Sequence, residues 1–296
     1  MKTVSRTALR LSICCVLLLN MLFTFTGCKE PSGNPQVVAT TLPVYEFTTL
    51  LCEGTNITTG QLIAENISCL HDYTLQVSQI RMAEQAELVV VSGAGLEDFL
   101  HDVLPENKVD ASRGIALHCP DHEHDHHGHS HEEDPHIWLS PERAKQMAQN
   151  ICVGLSSRYP QYTSIFEENL MQLKTRLDAL QTYGEETLSN LSCREIITFH
   201  DGFYYFAESF NLTILRAVEE ESGSEVSAAR LIELIELVDS HNLPAIFIER
   251  NGGDAAASII CAETGVSVYT LDMVMSGSSY FDIMYKNIDT IKEALG

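Results

Sequence analysis

Short, unbroken apolar runs recur along this chain, and they limit its fold more than any other feature. Val37-Val38-Ala39-Thr40 and Leu88-Val89-Val90-Val91 stand in the first half. Ile196-Ile197-Thr198-Phe199, Leu212-Thr213-Ile214-Leu215, Ala245-Ile246-Phe247-Ile248 and residues 266–271 stand in the second. Most lack the apolar–polar alternation of a strand with one wet face. Such runs, separated by helical patterns, indicate parallel strands covered on both sides. The pattern predicts helices over residues 44–52, 96–103, 228–238, 255–263 and 281–295, with further strands around 61–64 and 115–117. The expected class is α/β, with two βα lobes built on parallel sheets.

One segment between the halves differs. Phe166, Leu170, Leu173, Leu177 and Leu180 recur at spacings of four and three, which marks one stripe of a long amphipathic helix. No Gly or Pro falls between Pro160 and Gly184. The pattern fits a strut joining two lobes and an ordinary covering helix equally well. The expected organisation is a signal segment (1–27), a tether (28–36), a first lobe (37–159), a linking helix (160–190) and a second lobe (191–296).

The N-terminus points to export. Lys2, Arg6 and Arg10 precede a mainly apolar stretch of about 15 residues, short of the roughly 20 that a membrane span needs. Phe25-Thr26-Gly27-Cys28 resembles a bacterial lipobox, in which the cysteine is acylated and becomes the new N-terminus. The expected location is therefore extracytoplasmic, with the membrane held through a lipid on Cys28. The whole chain carries a formal charge of -23, and removing those three basic residues makes the remainder three charges more negative. Such a surface does not bind nucleic acid through phosphates, and it attracts cations at long range. Beyond the leader and Cys28, six cysteines remain: Cys52, Cys69, Cys119, Cys152, Cys193 and Cys261. An even number in an exported chain suggests disulfides. No C-x-x-C pair indicates a structural zinc site.

The twelve histidines carry most of the functional information. His118, His122, His124, His126, His127, His129 and His131 crowd one stretch interspersed with Asp and Glu. A tract with this composition has nothing apolar to bury, and its imidazoles suit zinc, copper or nickel. His200 follows the run 196–199, and Asp272 follows the run ending at Leu271. His71 follows the apparent strand near residue 64, and His136 follows the His-rich tract. Residues at the carboxyl ends of parallel strands face the crevice where such sheets bind ligands. His71, His136, His200 and Asp272, two from each half, therefore form a candidate metal site between lobes. His101 and His241 lack such partners and read as structural or exposed.

At these residues the sequence resembles a known family. Its pieces are His71-Asp72-Tyr73-Thr74-Leu75, Ala86-Glu87-Leu88-Val89-Val90 and Asp134-Pro135-His136-Ile137-Trp138-Leu139-Ser140-Pro141. Thr198-Phe199-His200-Asp201-Gly202-Phe203-Tyr204-Tyr205-Phe206 and Glu263-Thr264-Gly265 leading to Leu271-Asp272 continue it. Together they are similar to the zinc-specific solute-binding lipoproteins of bacterial ABC importers, of ZnuA/AdcA type, over essentially the whole chain after the leader. The resemblance implies two α/β lobes joined by a long helix, with metal held in the cleft. It implies His71, His136 and His200 as ligands, with Asp272 at the fourth position. It departs at Leu70, where the family commonly has Pro, and at Cys69, read as a disulfide partner for Cys52 or a substitute ligand.

Three imidazoles and one carboxylate suit tetrahedral Zn²⁺, whereas manganese favours more oxygen donors. Asp201 or Asp72 is a candidate for orienting the imidazoles. The expectation is a monomeric, non-enzymatic zinc carrier that delivers its ion to an ABC permease. The alternatives are a manganese or other divalent-metal protein or adhesin of the same fold, and a zinc hydrolase. The hydrolase lacks support from a G-x-S-x-G motif.

Overall fold

The computed structural model describes residues 34–65, 70, 73–105, 108–119, 133–218, 226–250, 252 and 255–296. The leader, Cys28, His71 and the interior of the His-rich tract lie outside them. The apolar runs form two four-stranded sheets, each parallel throughout. The first has the order β2-β1-β3-β4, from β1 (Val37–Ala39), β2 (Thr59–Gln61), β3 (Leu88–Val91) and β4 (Val109–Asp110). The second has the order β6-β5-β7-β8, from β5 (Glu195–Thr198), β6 (Thr213–Ala217), β7 (Ala245–Glu249) and β8 (Ser267–Leu271). In each sheet the chain leaves its first strand to one side and returns on the other. The resulting switch point lies between β1 and β3, and between β5 and β7. The runs lack alternation because both faces are covered: Val37, Val38, Val89, Val90, Ile196 and Ile246 are fully buried.

Helices α1 (Leu42–Leu51), α2 (Val77–Gln85) and α3 (Pro141–Arg158) accompany the first sheet. Helices α5 (Tyr204–Ser209), α6 (Ala228–His241), α7 (Ala255–Thr264) and α8 (Tyr280–Leu295) accompany the second. Between them runs α4 (Thr163–Thr187), 25 residues long. Its stripe of Phe166, Leu170, Leu173, Leu177 and Leu180 is buried, and the helix packs on α1 and α3 on one side and α8 on the other. The stripe ends at Gly184, where an added Cβ would stand 2.1 Å from the Phe210 ring, so only glycine permits that approach. No helix among the described residues is long and apolar enough to cross a membrane.

A single hydrophobic core runs from Val37 through Trp138 to Leu295 and so joins both lobes. A smaller one, around Ile197, Leu234, Ile246 and Ile260, lies within the second. Polar contacts reinforce the junction. The Trp138 indole, fully buried, donates to the Met273 carbonyl at 2.8 Å, and the Tyr280 hydroxyl donates to the Trp138 carbonyl at 2.8 Å. Glu46 on α1 accepts from the Tyr280 amide and from the Ser279 hydroxyl, placing a carboxylate at the N-terminus of α8.

Three expectations shift. No strand forms at 115–117: β4 takes the edge of the sheet at Val109–Asp110, and Ile115 closes a turn on the Ser112 carbonyl. The helix predicted over 96–103 shrinks to a 3-10 turn at Asp98–Leu100, because Gly93, Ala94 and Gly95 take positive φ and Glu97 turns inward. Among the described cysteines, Cys52, Cys119, Cys152, Cys193 and Cys261 are free thiols, and Cys69, the partner expected for Cys52, lies outside the described residues. Cys52 and Cys152 are buried and pack as small apolar side chains, and burial pushes the Cys52 thiol up to about 12.

Glu97 fills the switch point of the first sheet. Its carboxylate accepts from the Thr40 hydroxyl at 2.5 Å, the Ser92 amide at 2.8 Å and the Gly93 amide at 2.9 Å. Burial outweighs these donors and raises its pKa to about 7. A raised folded-state value means that folding takes up a proton between about pH 4.5 and 7. The corresponding stability is fully present below that window and is lost as pH rises through it. Glu97→Gln should remove on the order of 3 kcal/mol of pH dependence across the window. Urea unfolding of both proteins at pH 5 and pH 7.5 measures the difference, and parallel pH profiles would contradict it.

Candidate metal centre

His136 and His200 arrive from opposite lobes and meet edge to face, with ring centroids 5.2 Å apart and planes at 85°. Both are buried, at 7% and 3% exposure. His136 sits immediately before a 3-10 turn, Ile137–Leu139, that leads into α3. The entry to α3 is fixed by Pro141 at its first position and by the Ser140 hydroxyl, which accepts from the Arg143 amide. His200 follows β5 at the switch point of the second sheet. The helix after β5 starts only at Tyr204, so 200–203 bend around the site.

A buried carboxylate stands behind each imidazole. Asp134 Oδ1 lies 2.8 Å from His136 Nδ1 and also accepts from the His136 amide at 2.9 Å. Glu249 Oε2, at the end of β7, lies 3.5 Å from His200 Nδ1. The Asp134 hydrogen bond on Nδ1 orients His136 and leaves its Nε2 for a cation, while Glu249 stands at ion-pair distance from His200. Of the two orienting candidates in the sequence, Asp72 lies outside the described residues; the carboxylates beside the two Nδ1 atoms are those of Asp134 and Glu249. Glu249 obeys the strand-end rule that singled out His200 and Asp272, and applying that rule to 245–248 would have found it. Asp134 carries a weaker signal, its place two residues ahead of His136.

Asp272 follows β8, as the pattern implied. Its Oδ2 accepts from Arg250 Nη1 at 2.9 Å, and its Oδ1 accepts from the Val274 amide at 2.8 Å. Among the described residues, no three His, Cys, Asp or Glu side chains come close enough to enclose a metal ion. His71 lies outside those residues, next to Leu70, which is buried.

Gly202 sets the spacing of the ring pair. A Cβ there would stand 2.5 Å from Met273 Cε, 2.7 Å from His136 Nδ1 and 2.8 Å from His200 Cδ2. The backbone itself is thus a wall of the site. Of the His-rich tract, His118 is described, whereas His122, His124, His126, His127, His129 and His131 lie outside the described residues. The two ends of the tract are drawn together. The Asp134 amide donates to the His118 carbonyl at 2.9 Å, and the Tyr205 hydroxyl accepts from the His118 amide at 2.9 Å while donating to the Asp134 carbonyl at 2.8 Å. Burial pushes the Tyr205 phenol up to about 12, which keeps that proton in place. The His118 ring stacks on Tyr204, centroids 3.4 Å apart. His101 is exposed and pairs with Asp102, and His241 pairs with Glu195.

Two parallel-sheet lobes fused through one core, with imidazoles meeting between them, define a two-lobe α/β protein of the solute-binding class. The chain belongs to the ZnuA family, described as zinc-uptake complex component A, periplasmic, which matches residues 37–294. It is 30% identical over 302 residues to the zinc-binding lipoprotein AdcA of Streptococcus pneumoniae, covering 95% of this chain and 59% of that protein's length. The crystal structure of the Zn(II)-bound ZnuA-like domain of that AdcA superposes with a TM-score of 0.73 at 28% identity, covering 89% of this chain and 99% of the domain. A crystal structure of ZnuA superposes with a TM-score of 0.78 at 26% identity, covering 88% and 100%.

Gly202→Ala should drive the two rings apart while leaving both sheets intact. The expected outcome is at least a tenfold loss of affinity for a cation shared by the rings, on the scale of a disturbed ligand shell. Competition titration together with far-ultraviolet circular dichroism checks it.

Proposed function

We propose that this chain is the extracytoplasmic zinc-binding component of an ABC importer, capturing Zn²⁺ and passing it to a membrane permease. The observation that carries this reading is the His136–His200 pair, one imidazole from each lobe, each backed by a buried carboxylate. Paired imidazoles with carboxylates behind them are donors suited to zinc. Family membership and the zinc-binding names of the relatives support the same ion. His71 is proposed as the third ligand and Asp272 as the fourth, which completes a four-coordinate shell.

The remaining assignments extend that reading. The lipoprotein relative supports a location outside the cytoplasm, and Cys28 is the proposed acylation site. The domain organisation set out from the sequence is retained, with α4 as the linking helix. The His-rich tract is the proposed auxiliary collector, and its stem is tied to Asp134 two residues from His136. Ions gathered there would be released beside the cleft. A role in binding and delivery needs no catalytic step, and none is proposed.

Zinc titration against a competing chelator tests the site. The protein is expected to bind one tight zinc, lost in His200→Ala, and weaker ions lost on deleting 120–132. Asp134→Asn and Glu249→Gln should each weaken the tight site about 10- to 100-fold. Tight binding indifferent to His200 would overturn the assignment.

A further inference from the structure

We propose that Arg250 competes with the bound ion for the Asp272 carboxylate, and so sets how tightly the cleft holds zinc and how readily it lets zinc go. This rests on the zinc-site reading above and adds a residue to it.

The backbone at Asp272 is fixed. Its amide donates to Asn287 Oδ1 at 3.0 Å, and its carbonyl accepts from Asn287 Nδ2 at 2.8 Å. Asn287 is 2% exposed, so this double clamp is held by packing. The Val274 amide also holds Oδ1 of the carboxylate, so Oδ2, paired with Arg250, is the atom that can change partners. In the structure it faces Arg250, and among the described residues it joins no three-membered cluster with the imidazoles. Arg250 is itself anchored, because its amide donates to the Leu271 carbonyl at 2.8 Å, one residue before Asp272. Arg250 also directly follows Glu249, which contacts His200. The end of β7 thus offers one side chain to the imidazole and the next to the candidate fourth ligand.

There is room for the Arg250 side chain to move. Arg250 and Asp272 line a cavity of about 200 Å³ together with Tyr269, Lys286 and Asn287. The Arg250 side chain is 52% exposed and that of Asp272 15%. A half-exposed guanidinium is partly screened, so its hold on the carboxylate is weak enough for a divalent ion to replace. Loss of the ion returns the carboxylate to Arg250 rather than leaving it uncompensated. Release from the cleft is eased accordingly.

A double-mutant cycle in the full chain tests this. Arg250→Gln should tighten zinc binding roughly fivefold, the scale of a partly exposed ion pair, with most of the gain in a slower off-rate. Arg250→Lys should fall between the two. In an Asp272→Asn background the Arg250→Gln effect should vanish. An equal gain in that background would make Arg250 only a distant repelling charge and overturn the proposal. Looser binding in Arg250→Gln would overturn it as well, by making the ion pair a support for Asp272. His200→Ala, measured alongside, separates the two levels. If it abolishes tight binding while the Arg250 cycle is flat, only the competition fails. If tight binding survives it, the zinc-site reading fails and the competition falls with it.

Discussion

The junction at Trp138 is the constraint on which the rest of this molecule depends. His136 and His200 belong to different lobes, so their 5.2 Å separation exists only while the lobes keep one relative position. Trp138 lies two residues from His136, and it is joined to the second lobe through the Met273 carbonyl and the Tyr280 hydroxyl. The continuous core and α4 hold the same relation over a longer reach. A site shared between two bodies usually forms by their closure. Here the union is already packed, and the adjustable parts are side chains.

Much of this was legible in the sequence, for identifiable reasons. Unalternated apolar runs report burial on both faces, which is why β1, β3, β5 and β7 fall where the runs do. The four-three spacing of Phe166 to Leu180 reports a single buried stripe, and that stripe faces both lobes. The strand-end rule brought His200 to the switch point of the second sheet because parallel strands all open toward the same edge.

What the pattern did not reveal depends on partners distant in sequence. Glu249 is a strand-end carboxylate like Asp272, yet its importance comes from His200, 49 positions earlier, across the β5–β7 gap. The strand at 115–117 failed because sheet edges are settled by tertiary pairing, and Val109 reached β3 first. The even cysteine count was misleading because Cys52 and Cys152 serve packing, a role that spacing cannot distinguish from crosslinking. Gly202 carries no signal of its own in the sequence; its significance is the absence of a side chain between two rings and Met273.

That last absence has a consequence for what can enter. With the Gly202 backbone on one side and both rings buried, the imidazoles meet edge to face with centroids 5.2 Å apart and no side chain at position 202 between them. A cation held by two imidazoles gives up one water for each nitrogen it gains. Entry therefore means undressing the ion, and the nitrogen donors must replace water molecule for molecule as it comes in. Discrimination in such a site begins with the willingness of a cation to part with its water, before any preference among ligands is expressed.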